Sequence, residues 1–212
     1  KTDLIYCSVT GYGQTGGKST EAAYDGAIQA SSGMMSQNGH PETGPTRTGY
    51  MPVDMSTALN TAFAISAALY RKLATGKGQR IDVAMMDTAI VMQAAQYSNW
   101  LNQGSLVGLR GNSSPTRQPT ADVFPTSDGF IQITALRQPQ VEALFDEIGI
   151  GHLLQDPKSA TPEARMHYPD PIVTAVTKAL MSATTHEWIN RLAPLGIPVA
   201  EVRELPDVIA DP

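Results

Sequence analysis

The period of the apolar positions changes several times along the chain, and each change marks an element. Leu4 to Val9 is a short apolar run that reads as a strand. Gly11, Gly13, Gly16 and Gly17 follow it as a turn, and a helix is predicted from about Glu21 to Ser31. The segment "SQNGHPETGPTRTG" is rich in turn formers. Beyond it Leu59, Ala62, Phe63, Ser66, Leu69, Tyr70 and Leu73 recur at intervals of three and four, which predicts a helix with that stripe buried. "TGKG" should end it at Gly76. "QRIDVAMM" then alternates as a strand, with Asp87 placed to cap a second long helix running to about Gln103.

From Gly104 to Pro119 the composition shifts to Gly, Asn, Ser, Pro and Arg, which reads as a linker. "ADVFPTSDGFIQITAL" predicts two strands joined around Ser127-Asp128-Gly129, with short helices after them. One of these helices begins at "TTHEW", where Thr184 and Glu187 have capping-box spacing, and it should close at Gly196. The pattern predicts an α/β chain. Residues 1–103 are expected to form a domain of strand–helix units, 104–119 a linker, and 120–212 a small α+β domain.

Charge narrows the partners. The 212 residues include 15 Lys and Arg against 20 Asp and Glu, a net charge of -5, so no global positive field draws the chain to nucleic acid or to an anionic membrane. The long apolar tracts are broken by Asn60, Ser66, Arg71, Asp87 and Gln93, well short of the roughly 20 apolar residues that span a bilayer. A single cysteine, Cys7, reads as a strand residue and fits a reducing, cytoplasmic compartment. No basic or apolar leader precedes the first strand, and the chain reads as cut at both ends from a longer polypeptide.

Several chemical readings fail on spacing. "GYGQTG" matches G-x-G-x-x-G, but Gly17-Lys18-Ser19-Thr20 intervenes before any helix and no second acidic strand end follows, so a dinucleotide site is not expected. His40, His152, His167 and His186 share no metal-ligand spacing, and no metal is expected. There is no G-x-S-x-G elbow, and no His lies near Cys7. Arg80, Asp82 and Asp87 are accounted for as strand-edge and helix-cap residues. In "GYMPVDMSTALNTAF" one carboxylate, Asp54, sits between an apolar run and the long helix. Asp is a preferred N-cap, but the same position presents a carboxylate at the open end of a strand-to-helix turn, where α/β folds place ligands. Both readings are open on position alone.

Four ordered motifs carry a resemblance: the turn "VTGYGQTGG", "YDGAIQA", "PVDMSTA" and "TGKGQRIDV". Together they resemble the class III coenzyme A transferases, the CaiB/BaiF-like family of formyl-CoA and carnitine-CoA transferases and α-methylacyl-CoA racemases. "VFPTSDGFIQITAL" and "LAPLGIPVAEVRELPDVIADP" are similar to that family's small domain, and the resemblance implies that residues 1–103 are the central part of its Rossmann-like large CoA-binding domain. The resemblance implies transfer of CoA between an acyl-CoA and a carboxylic acid, with Asp54 as nucleophile. No cofactor is held permanently, since coenzyme A enters as substrate. Its implied route is a mixed anhydride on Asp54 and then an aspartyl-CoA thioester. A carboxylate is ionised at neutral pH and attacks without a base, and backbone N–H groups at the helix start or the glycine turn are the natural oxyanion donors.

The resemblance also implies that Thr10, Gly11, Tyr12 and Gly13 lay CoA along the backbone, with Thr10 a departure from the expected Ser or Lys. Tyr24 becomes a pocket residue, and Asp25 and Gln29 structural ones. The racemase branch needs an acid–base pair about the α-carbon. Its histidine is replaced by Tyr24 and its glutamate region reads "ALRQPQ", so transfer is favoured. Arg137 in that stretch is a candidate for the acceptor carboxylate. "TALRQPQ" also lacks the glycine-rich loop of formyl-CoA transferases, which argues against oxalate. The family implies an interlocked homodimer and a preceding segment that grips the CoA phosphates. A non-catalytic fragment or binding module with the family fold is the alternative.

Overall fold

In the computed structural model, which describes residues 1–211, two compact units follow one another, Lys1–Gly111 and Asn112 onward. The first is organised on two parallel strands, β1 (Ile5–Thr10) and β4 (Gln79–Ala84), paired in register from Ile5 opposite Gln79 to Thr10 opposite Ala84. Between them run α1 (Asp25–Ser31), a short ladder of β2 (Gly39–His40) and β3 (Gly44–Pro45), and α2 (Pro52–Thr75). After β4 come α3 (Met85–Met92) and α4 (Ala94–Gln103).

On β4 the alternation behaves as a half-buried strand should: Ile81 and Val83 turn inward and Arg80 and Asp82 outward. Inward residues meet α2 through Ala64, Ile65 and Ala68, with Ile5 and Cys7 of β1 beside them. A second cluster joins Ile28, Val53 and Ala89, drawing α1, the start of α2 and α3 together.

The buried face of α2 is not the stripe that periodicity picks out. Val53, Thr57 and Ala68 are buried, whereas Leu59, Phe63, Tyr70 and Leu73 are at least 71% exposed. Small side chains let the helix lie close to β1 and β4, and the larger ones on the same helix face away from the described residues. A periodic stripe identifies a helix but not which of two apolar faces is covered.

The predicted second helix is two helices. It starts at Met85 with Ala84 as cap residue, so Asp87 lies within the first turn and does not cap it. The helix breaks at Gln93, whose side-chain amide donates to the carbonyls of Ser32 and Ala89 at 3.1 and 3.0 Å. Its Oε1 accepts from Gln37 Nε2 at 3.0 Å. Tertiary hydrogen bonds across α1 set this break, which the apolar pattern passes over.

The turn after β1 packs tightly. Thr10 Oγ1 accepts from the Gly13 N–H at 2.9 Å, and Gly13 has a φ of +88°, a region that disfavours other residues. Gly11 is required for a different reason: a Cβ there would lie 2.3 Å from Cβ of Ala23.

In the second unit β5 (Ala121–Pro125) and β6 (Phe130–Thr134) form the predicted hairpin, and β7 (Val199–Glu201) adds an antiparallel third strand beside β6. Helices α5 (Gln138–Glu147), α6 (Pro162–His167), α7 (Pro169–Leu180) and α8 (Thr185–Leu192) precede β7, and α9 (Leu205–Ala210) follows it. Phe124, Ile131, Phe145, Val176, Trp188 and Leu192 belong to one continuous core. Trp188 gives its indole N–H to the Leu180 carbonyl at 2.7 Å, so its polar atom is satisfied inside that core.

Two carboxylates hold the start of α8. Glu187 accepts from the Thr184 N–H at 2.9 Å, closing the capping box. Asp128, from the hairpin turn, accepts from the Thr185 N–H at 2.8 Å. The backbone bond from Thr185 holds the Asp128 carboxyl below the usual carboxylate range, and that from Thr184 does the same for Glu187, the Thr side chains adding to both.

Two outcomes are expected. Because both folded pKa values are depressed, the bonds contribute fully above the usual carboxylate range and are lost as pH falls through the depressed values. The unfolding temperature should therefore decline between about pH 5 and 3, and Asp128→Asn with Glu187→Gln should flatten that decline in a thermal melt series. Gly11→Ala should cost about 1–3 kcal/mol by overpacking against Ala23. Adding Ala23→Gly should recover most of it in urea unfolding, and a double variant no better than the single would show that the contact is not the cause.

Candidate active site

The turn after β1 and the first turn of α2 are the two elements in which the sequence places chemistry. The backbone of α2 begins at Pro52, which has no N–H to lose at a helix start, and the residue in the cap position is Met51. Asp54 is therefore not the N-cap. It lies within the first turn, exposed, and its carboxylate makes no hydrogen bond or ion pair among the described residues.

The capping is done from α1. Asp25 is only 5% exposed, and its Oδ2 accepts from the N–H groups of Val53 and Asp54 at 2.8 and 3.1 Å. Those are two of the donors that a helix start leaves without an intrahelical partner, and a negative charge there also meets the positive end of the helix dipole. The Met55 N–H already bonds the Met51 carbonyl at 3.1 Å. The amides of Val53, Asp54 and Met55 are therefore all committed, which narrows one of the two oxyanion sources expected from sequence.

Asp25 is held in turn. Gln29, one turn along α1 and 1% exposed, donates from Nε2 to Asp25 Oδ1 at 2.5 Å and accepts from the Thr48 N–H at 3.2 Å through its Oε1. The segment Thr48–Asp54 is thus tied at both ends to one face of α1. The i, i+4 spacing of Asp and Gln in "YDGAIQA" placed the two side chains on that face, but nothing in the spacing named their target.

Asp54 lines a groove of about 510 Å³ with Val9, Thr57, Thr61, Ala62 and Met85 among its walls. The walls are mostly apolar, and Thr57 there has a buried hydroxyl without a hydrogen-bond partner. Another cavity, of about 240 Å³, lies between Ser36, Tyr97, Trp100 and Leu106 and includes neither Asp54 nor the glycine turn. The Asp54 groove sets a carboxylate against mostly apolar walls, whereas no carboxylate lines the other cavity.

The turn Thr10–Gly13 is half-buried and braced from three sides. Asp82 of β4 accepts from the Gln14 N–H at 2.9 Å, the Gly11 carbonyl accepts from the Met86 N–H at 3.0 Å, and Lys18 lies 5.1 Å above the Tyr12 ring. Thr10, a departure from the expected Ser or Lys, builds the turn through its hydroxyl. The first helix after the turn starts only at Asp25, so the glycines do not open a helix as a dinucleotide fingerprint does.

Tyr24 is 83% exposed at the cap position of α1, next to Asp25. Arg137 belongs to the second unit, where it is exposed at the start of α5 and its N–H bonds Gln140 Oε1 at 3.1 Å. Among the described residues no group of three or more His, Cys, Asp or Glu could hold a metal ion, and no helix is long and apolar enough to cross a membrane.

Known proteins share the sequence and the fold of this chain. A succinate–glutarate CoA-transferase of Agrobacterium fabrum is 32% identical over 209 residues, 99% of this chain and 52% of that protein. An acetyl-CoA:oxalate CoA-transferase of Acetobacter aceti is 34% identical over 98% of this chain and 55% of its own length. The chain thus spans about half the length of the curated relatives it matches. The crystal structure of a CaiB/BaiF family protein from Brucella suis superposes with a TM-score of 0.88 at 33% identity, covering 100% of this chain and 56% of that one. With the family model matching residues 1–212, the chain belongs to CoA-transferase family III.

Proposed function

We propose that the full-length protein carrying this chain moves coenzyme A from an acyl-CoA to a carboxylic acid, with Asp54 as the covalent nucleophile. The observation that carries this reading is the free carboxylate of Asp54, relieved of capping by Asp25 and opening onto the groove. A cap would have its oxygens committed to backbone amides.

The steps balance without any further reagent. An Asp54 oxygen attacks the thioester carbonyl carbon, the oxyanion collapses, and the C–S bond breaks with its electron pair leaving on the CoA thiolate. The thiolate attacks the aspartyl carbonyl of the resulting anhydride and frees the donor carboxylate. The acceptor carboxylate then attacks the aspartyl-CoA thioester and expels the thiolate, which attacks the acceptor's acyl carbon and returns Asp54 as a carboxylate. With the amides of Val53 and Asp54 committed to Asp25, the glycine turn is the backbone source of oxyanion donors, and Thr10, Gly11, Tyr12 and Gly13 are proposed to carry CoA. Tyr24 is proposed to border the pocket.

Two relatives are named for short dicarboxylates, succinate, glutarate and oxalate, and a dicarboxylate acceptor is proposed for this protein. The missing glycine loop in "TALRQPQ" argues against oxalate, but a 34% identical oxalate transferase keeps oxalate in the acceptor panel. Arg137 is the proposed carboxylate-binding side chain of the second unit. An interlocked homodimer of the full-length protein in the cytoplasm completes the reading. It agrees with the apolar side chains that α2 leaves uncovered in this half of the family's length.

Full-length protein incubated with succinyl-CoA and other acyl-CoAs, then quenched with hydroxylamine, should carry a hydroxamate confined to the peptide containing Asp54. Asp54→Asn should lack it and lose more than about 10³-fold in transferase rate while melting within a few degrees of the parent. An unmodified Asp54 peptide under every donor would return Asp54 to a structural role.

A further inference from the structure

Asp25 and Gln29 support the start of α2. Their geometry says more, because the two amides Asp25 takes belong to Asp54 itself and to its neighbour Val53. A carboxylate in the first turn of a helix competes for the N–H groups at that helix start. Asp54 is such a carboxylate, and were those amides free, its own side chain would be the acceptor within shortest reach. Asp25 occupies them with a buried, negatively charged group that also offsets the helix dipole.

We propose that Asp25, held by Gln29, is a positioning residue for the transfer reaction, keeping the Asp54 carboxylate out of its own helix cap and directed into the groove. This rests on the reading of Asp54 as nucleophile. Each polar atom of the relay is used once or twice and none is spare. Thr48 N–H meets Gln29 Oε1, Gln29 Nε2 meets Asp25 Oδ1, and Asp25 Oδ2 meets the two α2 amides. The loop entering α2 and the first turn of α2 are thereby fixed by a single pair of side chains on α1. An attacking oxygen must stand close to its target carbon in a narrow range of approach, and displacement by about 1 Å is enough to cost roughly 100-fold in rate.

The relay predicts a separation between binding and chemistry. Asp25 and Gln29 line neither the glycine turn nor the groove, so acyl-CoA should bind normally when they are changed. Asp25→Asn keeps one acceptor oxygen for the α2 amides but loses the charge, and it turns an amide N–H₂ toward Gln29 Nε2, itself a donor. Gln29→Met keeps the volume and removes both hydrogen bonds. In full-length protein, single-turnover hydroxylamine trapping would be read on each variant, beside kcat, KM for acyl-CoA and thermal melting.

Asp25→Asn should slow hydroxamate formation at Asp54 by about 10- to 100-fold, with KM changed by less than about twofold. Gln29→Met should slow it less, and the double variant should be slower than Asp25→Asn by less than the Gln29→Met factor, since the two act as one unit. Gln29→Met carries the test by itself should Asp25→Asn not fold. Trapping at the parent rate in a folded Asp25→Asn or Gln29→Met variant would overturn the proposal, as would rates falling only in proportion to the unfolded fraction. Parent protein that forms no adduct at Asp54 is a different failure, which removes the nucleophile reading and this inference with it.

Discussion

The carboxylate of Asp25 accepts three hydrogen bonds in a site that water scarcely reaches, and the arrangement of the first unit depends on them. A buried charge is tolerable only when its lone pairs are filled, and here they are filled by one side-chain amide and two backbone amides. Hydrogen bonds to a charged group contribute about 1.5–3 kcal/mol each, so the bonds to α2 rank among the strongest local contacts in the unit. They join α1 to the start of α2 where Ile28 and Val53 also meet, so apolar packing and polar capping fix the same junction. A lone apolar contact would leave α2 free to slide along its axis. The directional bonds to Val53 and Asp54 remove that freedom.

The two units solve the burial problem differently. The second has one continuous core around Phe145, Trp188 and Leu192, closed by a three-stranded antiparallel sheet. The first has two small clusters, built largely from Ala, Val and Ile, and a parallel pair of strands with large apolar side chains of α2 turned outward. Parallel sheets are usually covered on both faces, and a two-stranded one offers little surface to pack on. In the first unit, polar bonds such as those of Asp25, Asp82 and Gln93 therefore share the task of fixing geometry with apolar contact.

Local signals were legible where the physics is local. Gly76 ends α2 with its N–H on the Lys72 carbonyl, the Thr184–Glu187 box opens α8, and the hairpin turns at Ser127–Gly129, all within a few residues of the letters that announce them. What escaped was set by partners distant in sequence. Position alone leaves Asp54 open as a cap, because the side chain that takes its amide, Asp25, lies 29 positions earlier on another helix. The break at Gln93 follows from Ser32, 61 positions away. β7 is too short to show a period, and it exists because β6 offers it an open edge. On α2 the period was right and the buried side wrong, since small residues can pack as closely as large ones. The glycine turn and Asp54 were visible as motifs, while the relay that joins the start of α2 to α1 was not.

The bond from Asp82 to the Gln14 amide ties the glycine turn to strand pairing. Asp82 stands opposite Ser8, and Arg80 opposite Tyr6, on the outward side of β4. A slip of β4 by two residues keeps every apolar side chain on its proper face, so burial alone does not forbid it. It would, however, bring Arg80, which has donors and no acceptor, or Ala84, which has no polar side-chain atom, to the place where the Gln14 N–H needs an oxygen. Only one alignment of the two strands completes the turn, and the bond thereby acts as a proofreading contact for the sheet: a misregistered chain is also a chain without its glycine turn.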